Sequence, residues 1–157
     1  MAEFVARFGH TPERRDILRR LLAYRQALRA TGIVTGFQLF DGSFVEDCEA
    51  LRGRPPKDLD VVTFSHLPVP PNEIQTFLEQ NIHLFSVEAV KEKYLCDSYF
   101  VDLTKDARLI VADTMYWYSL FSHQRDTYMW KGLTQIPLLG GDAEAAALLD
   151  SAEAAHA

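Results

Sequence analysis

Cysteine is scarce in this sequence. Cys48 and Cys96 are the whole complement, too few for a disulfide framework or a thiolate zinc site. The expected compartment is therefore the reducing cytoplasm. Long apolar runs are also missing. No stretch approaches the roughly 18–20 residues that span a bilayer, so no membrane partner is expected. Met1 to His10 lacks a basic stretch followed by an apolar one, which argues against a secretory signal. Neither a P-loop nor a dinucleotide-binding glycine pattern occurs. The histidines, His10, His66, His83, His123 and His156, show no ligand spacing, and the chain has no internal repeat. Net positive charge is lacking too. The balance is −6, so bulk attraction to nucleic acid is not expected.

What is present suits one ordinary domain. The chain has 157 residues, 48% hydrophobic and 24% charged, enough to bury a core without covalent staples. Arg14, Arg15, Arg19, Arg20, Arg25 and Arg29 crowd the first thirty residues. The plainest reading of such a run is a solvated helix face. Thr11-Pro12-Glu13 opens a helix, because Thr caps free amides, Pro fits the first turn and Glu suits the positive dipole end. Ile17, Leu18, Leu21, Leu22 and Leu28 recur at helical steps, predicting a helix over 12–30 that Gly32 ends.

Phe37–Phe40 predicts a strand that runs into a turn at Asp41-Gly42-Ser43, with a short helical segment over 44–51. Asp41 is expected to cap that turn and position Gly42. Arg52 to Lys57 is a loop broken by Gly53, Pro55 and Pro56. Leu59–Phe64 predicts a buried strand. Asn72 and Gln75 resemble a capping box for a helix to about 80, and a second short helix is expected over 87–94. Ser98–Leu103 alternates as a third strand, with Tyr99, Val101 and Leu103 on one side and Phe100 and Asp102 on the other. Residues 109–122 predict an aromatic helix. Its aromatics, with Tyr128 and Trp130, are expected in the core, base stacking being the alternative. Leu133–Leu138 is a fourth strand or an extended tail. The expected architecture is a mixed α/β (α+β) sheet flanked by helices. It comprises a single domain over 1–141 and an alanine-rich acidic tail over 142–157, a marginal helix whose end frays.

Three features stand in one order: Gly42-Ser43 after a strand, Asp58-Leu59-Asp60 opening the next, and Asp102 in a later one. Residues two apart on a strand share a face, so Asp58 and Asp60 present adjacent carboxylates. Such like charges repel unless a cation joins them, and Mg²⁺ prefers oxygen ligands. Asp102 would complete the cluster from a neighbouring strand, with Asp97 and Asp106 as register alternatives. Glycine lets backbone approach a phosphate, and the Ser43 hydroxyl donates one more hydrogen bond. Arg54 and Lys57 in the loop, with Arg52, and Arg125 and Lys131 further on, are candidates to clamp a triphosphate.

The segments Leu39 to Val45 (LFDGSFV) and Pro56 to Val62 (PKDLDVV) resemble the signature of the DNA polymerase β-like nucleotidyltransferase superfamily. In that superfamily a Gly-Ser pair precedes an acid-x-acid strand and a third acid follows. The resemblance covers about Gln38 to Leu103. It implies a small nucleotidyltransferase-fold sheet and a nucleotidyltransferase. Gly42 and Ser43 would hold nucleotide phosphates, and Asp58, Asp60 and Asp102 would be catalytic ligands of one or two Mg²⁺ ions. The substrate would be an NTP such as ATP, and the acceptor a protein or RNA hydroxyl. The whole chain also looks like a group of small bacterial proteins with this core, marked by Phe8-Gly9 and Thr11, Arg125-Asp126 and Lys131-Gly132. Its size resembles the minimal nucleotidyltransferases of toxin–antitoxin or defence loci. A catalytically silent, antitoxin-like binding module is the second expectation. Fourteen residues separate Ser43 from Asp58, somewhat long for the smallest members.

Overall fold

The Thr11 side chain accepts a hydrogen bond from the Arg14 amide, and Pro12 fills the first position behind it. These two residues open helix α2, Pro12–Ala30, after a short α1, Ala2–Phe8. The computed structural model describes residues 1–154. His156 and the last three positions of the expected tail lie outside the described residues. The remaining elements are β1 (Phe37–Asp41), α3 (Cys48–Arg52), β2 (Leu59–Ser65), α4 (Ile74–Gln80), α5 (Val87–Tyr94), β3 (Cys96–Asp102), α6 (Ala107–Phe121), β4 (Thr134–Pro137) and α7 (Asp142–Ala154). This is the expected mixed α/β architecture.

The four strands form one sheet in the order β3-β2-β1-β4. β1 runs antiparallel to β2 and to β4, and β2 runs parallel to β3. Alternation divides each strand between two faces. Phe40, Leu59, Val61 and Cys96 point into the main core with Leu18, Leu21 and Leu28 of α2. Leu39, Val62, Phe64 and Val101 point the other way, into a smaller cluster closed by Phe121 of α6.

Three local expectations change. The arginine run is not a solvated face. Arg14 and Arg25 are fully buried and Arg15 nearly so. The Arg25 guanidinium donates to Asp142 at 2.9 Å, to Gln38 Oε1 at 2.7 Å and to the Pro137 carbonyl at 2.8 Å. A guanidinium keeps its charge at all relevant pH and has five donors, so burial demands this many acceptors. Second, the capping box at Asn72 and Gln75 does not form. A 3-10 turn over Pro71–Glu73 precedes α4, and Gln75 bonds Glu79 instead. Third, the helix expected over the acidic tail is not marginal but docked on the core. Ala145 and Leu149 are buried in the main core, and Arg25 and Arg29 both hold Asp142 at its first turn. Negative charge there also suits the helix dipole.

Among the described residues, no helix is long and apolar enough to cross a membrane.

Asp142→Ala removes the carboxylate but leaves Arg25 buried. The expected loss is about 3 kcal/mol, read by urea unfolding of the full chain. A loss within the range of a surface pair, under about 1 kcal/mol, would show that α7 is not tied by this ion pair.

Candidate functional site

The strand register assembles an acidic rank. Asp41 of β1 lies opposite Asp60 of β2, and Asp60 lies opposite Asp97 of β3. Directly paired residues share a face, so three carboxylates stand in one row across three strands. Asp58, two residues before Asp60, faces the same way. The next row is Leu39, Val62 and Tyr99, and the one after is Phe37, Phe64 and Val101. The acids thus stand at the rim of an apolar floor.

Asp102 does not belong to this site. It pairs with Ser65 at the opposite end of β3, five residues from Asp97 and so about 16 Å along the strand. It also lies on the other face. Its carboxylate accepts from the Thr104 amide at 2.9 Å and the Thr104 hydroxyl at 2.7 Å, closing the turn after β3. Asp97 takes the place assigned to Asp102. Both satisfy an acid-in-a-strand pattern, and the parallel register together with the face each occupies distinguishes them.

The Gly42-Ser43 turn meets the rank directly. Gly42 has φ +84°, and a Cβ there would collide with the Asp60 Oδ2 atom. Only glycine serves on both counts. Beyond it, the short helical segment expected over 44–51 forms in two pieces, a 3-10 turn over Ser43–Val45 and α3. Arg14 anchors the chain that follows. Its guanidinium donates to the Phe44 carbonyl at 2.6 Å, the Glu46 carbonyl at 2.8 Å and Glu49 Oε1 at 2.8 Å.

Cations flank the rank but miss its centre. Lys91, in the last turn of α5, lies 2.8 Å from Asp58 Oδ2 and 2.7 Å from Asp97 Oδ2. These contacts raise its pKa, because the two carboxylates favour the ammonium form. At the other end, Lys131 lies 3.0 Å from Asp41 Oδ2 and 3.1 Å from Glu46 Oε1. Lys131, expected to grip a nucleotide, is thus already engaged between two buried acids. Alone in the rank, the Asp60 side chain has neither a hydrogen bond nor an ion pair among the described residues. Burial and the negative Asp58 and Asp97 push its pKa up to about 6. Asp41 is likewise pushed up to about 6, chiefly by burial, with Lys131 opposing. Its Oδ1 atom is buried without a hydrogen-bond partner. The Gly42 amide favours the ionised Asp41, in keeping with the turn-positioning role expected of that acid.

The remaining candidates are looser. Arg54 and Lys57 are exposed in the loop before β2, and Arg54 donates to the Pro55 carbonyl. Arg125 is exposed, yet close enough to favour the ionised form of Asp60. Sequence reading missed Lys91 and Glu46. Lys91 sits at an ordinary basic position near a helix end, so only the fold reveals its partners.

Among the described residues, no three His, Cys, Asp or Glu side chains are gathered as a ready metal-holding group. Lys91 occupies the gap between two of the acids. The donor chemistry nevertheless fits a hard divalent cation. All the free donors are carboxylate oxygens, and the central carboxylate has no ion-pair partner among the described residues.

Asp60 has a folded-state value near 6 against an ordinary 3.8. A raised carboxyl contributes stability below the ordinary value and loses it as pH rises through the folded value. Asp60→Asn is therefore expected to stabilise the protein at neutral pH by about 1–2 kcal/mol. The gain should shrink as pH falls through about 6 and vanish below 3.8. Thermal melts across that range check it. A variant less stable than the parent at neutral pH would show that Asp60 is compensated within the chain.

No curated protein and no solved structure was found to match this chain. Residues 1–137 match the model of DUF6932, a family of unknown function. That match spans the sheet and the acidic rank, and the chain belongs to the DUF6932 family.

Proposed function

We propose that this protein is a divalent-cation-dependent nucleotidyltransferase that moves a nucleoside monophosphate from an NTP to a hydroxyl of a protein or RNA. One observation carries the reading: Asp41, Asp60 and Asp97 in a single row, with the Gly42 turn against the central carboxylate. The sequence resemblance noted above agrees with it.

Asp58, Asp60 and Asp97 are the residues to hold one or two Mg²⁺ ions. When bound, Mg²⁺ supplies charge neutralisation of the triphosphate and of the transition state. Lys91 must leave the gap between Asp58 and Asp97 for both acids to serve. Gly42 lets the backbone approach the phosphates, and Ser43 donates a hydrogen bond to them. Arg125, which favours the ionised form of Asp60, and the loop cations Arg54 and Lys57 would serve the outer phosphates. The acceptor hydroxyl is received on the Asp97 side, where a carboxylate takes its proton. The new bond forms between the acceptor oxygen and the α-phosphorus, the bond to the bridging oxygen breaks, and pyrophosphate leaves.

A second reading draws on Lys91. A lysine that stays locked between the two acids would leave a binding module without turnover.

The two readings separate in one assay. α-Labelled ATP, CTP, GTP and UTP are incubated in cell lysate with the full chain and Mg²⁺, and the macromolecule gaining label is identified. Asp60→Asn and Asp97→Asn are expected to lose labelling by about a hundredfold or more, while Asp102→Asn retains it. Equal loss in Asp102→Asn, or full activity in Asp97→Asn, overturns the assignment. Lys91→Met is expected to tighten Mn²⁺ binding by about tenfold in calorimetry. Absence of Mn²⁺ binding and of labelling in every variant favours the silent module.

A further inference from the structure

The aromatics expected in the core lie largely outside it. Tyr116, Tyr118, Tyr128 and Trp130 are 54–80% exposed, and in α6 only Phe121 is buried. Trp117, half-buried in the same helix, supports a tyrosine on the sheet. That tyrosine, Tyr99, lies one row in from Asp97 on the same face, with Leu39 and Val62 as its row-mates. Leu39 and Val62 are buried, whereas Tyr99 is 40% exposed. The apolar floor beside the acids is therefore closed over β1 and β2 and open at β3, the edge strand.

The open ring is held in place. The Tyr99 and Trp117 ring centroids are 4.7 Å apart, tilted by 44°. Trp117 is itself met edge-on by Tyr116 at 5.0 Å and by Phe121 at 5.5 Å. Offset and edge-on contacts are the favoured geometries of aromatic pairs. A ring fixed before binding loses little further freedom when a ligand covers it. Tyr99 also stands close to the acids. It is two residues from Asp97, about 7 Å along the strand. Burial, with the charges of Asp97 and Asp60 adding to it, pushes its phenol up. The hydroxyl therefore keeps its proton at neutral pH and can donate a hydrogen bond.

The two ends of the acidic rank differ in character. At the β1 end stands the Gly42 turn, and Lys131 bridges Asp41 and Glu46. Lys131 and Arg125 both favour the ionised form of Asp60. At the β3 end Lys91 is taken up by Asp58 and Asp97, and the row inward from Asp97 is aromatic. A nucleoside triphosphate has the same two ends, an anionic chain and a flat base. Its ribose bridges a distance comparable to that between the rank and Tyr99.

We propose that the base of the nucleotide stacks on Tyr99, propped by Trp117, while the triphosphate lies over Asp60 toward the Gly42 turn. The proposal rests on the nucleotidyl-transfer reading and adds the residue that receives the base. The outer rim beside Asp58 and Asp97 is left to the acceptor. Stacking uses a π-face that every base has, so the platform is tolerant of base identity.

Calorimetry of the full chain in Mg²⁺ tests it with two probes. One is the ATP analogue with a methylene in place of the α,β-bridging oxygen, which cannot transfer its monophosphate. The other is tripolyphosphate, which carries no base. Tyr99→Ala is expected to weaken binding of the analogue by about tenfold to a hundredfold and to leave tripolyphosphate binding unchanged. Tyr99→Phe keeps the ring and should keep most of the affinity. Trp130→Ala should leave both probes unchanged. Parent-like binding of the analogue by Tyr99→Ala overturns the proposal. Equal loss of both probes does so too, because it reports a general disturbance of the site. So does a loss that falls on Trp130→Ala instead, which would put the base on the segment between α6 and β4. A parent that binds both probes equally has no base contact, and overturns this proposal while sparing the nucleotidyl-transfer reading. A parent that binds neither overturns both.

Discussion

The central constraint in this molecule is an uncompensated carboxylate. Asp60 is packed against Gly42 and stands between Asp41 and Asp97 in the strand register. Folding brings these negative charges together with no ion-pair partner on the middle one, only the more distant Lys131 and Arg125 favouring its charge, which costs stability. Proteins keep such arrangements where function demands a charge-binding centre and other contacts offset the strain. The two lysines show how the cost is contained. Lys91 and Lys131 each bridge two acids at opposite ends of the rank, and neither forms an ion pair with the middle one.

The offsetting contacts are buried and specific. Arg14 ties α2 to the backbone that follows the Gly42 turn, so the turn keeps its place against Asp60. Arg25 ties the same helix to Gln38 in β1, to the end of β4 and to α7. Gln38 in turn donates to Thr63 in β2 at 2.9 Å. One helix thus holds both sides of the turn and the strands behind the acids. A buried ion pair is weak evidence of net stability, but breaking one is costly. These arginines therefore favour one arrangement of the site rather than many.

The two sheet faces divide the work. One carries the large core beneath α2 and α7. The other carries the acidic rank and a small apolar cluster under α6. α6 covers that cluster with its inner side and leaves its outer side to water, which explains why an aromatic-rich helix does not deepen the core. Helical periodicity reported the helix correctly. It could not report that two ridges of apolar residues lie on the side facing away from the sheet.

Local chemistry was legible in the sequence. Thr11-Pro12 marked a helix start, Asp41-Gly42-Ser43 marked a turn, and alternation marked the strands, because caps, glycine conformations and side-chain period act within a few residues. Asp58 and Asp60 were placed on one face for the same reason. What only the tertiary structure decided is which distant residues meet. The register of the parallel pair is fixed by contacts between distant strands, and it sets Asp97 rather than Asp102 opposite Asp60. Lys91 reaches the acids because α5 turns through Leu95, at φ 53°, into β3. Arg14 is buried because the carbonyls of Phe44 and Glu46 converge on it, and Arg25 because those of Pro137 and Leu138 do, and no spacing within one helix encodes that convergence.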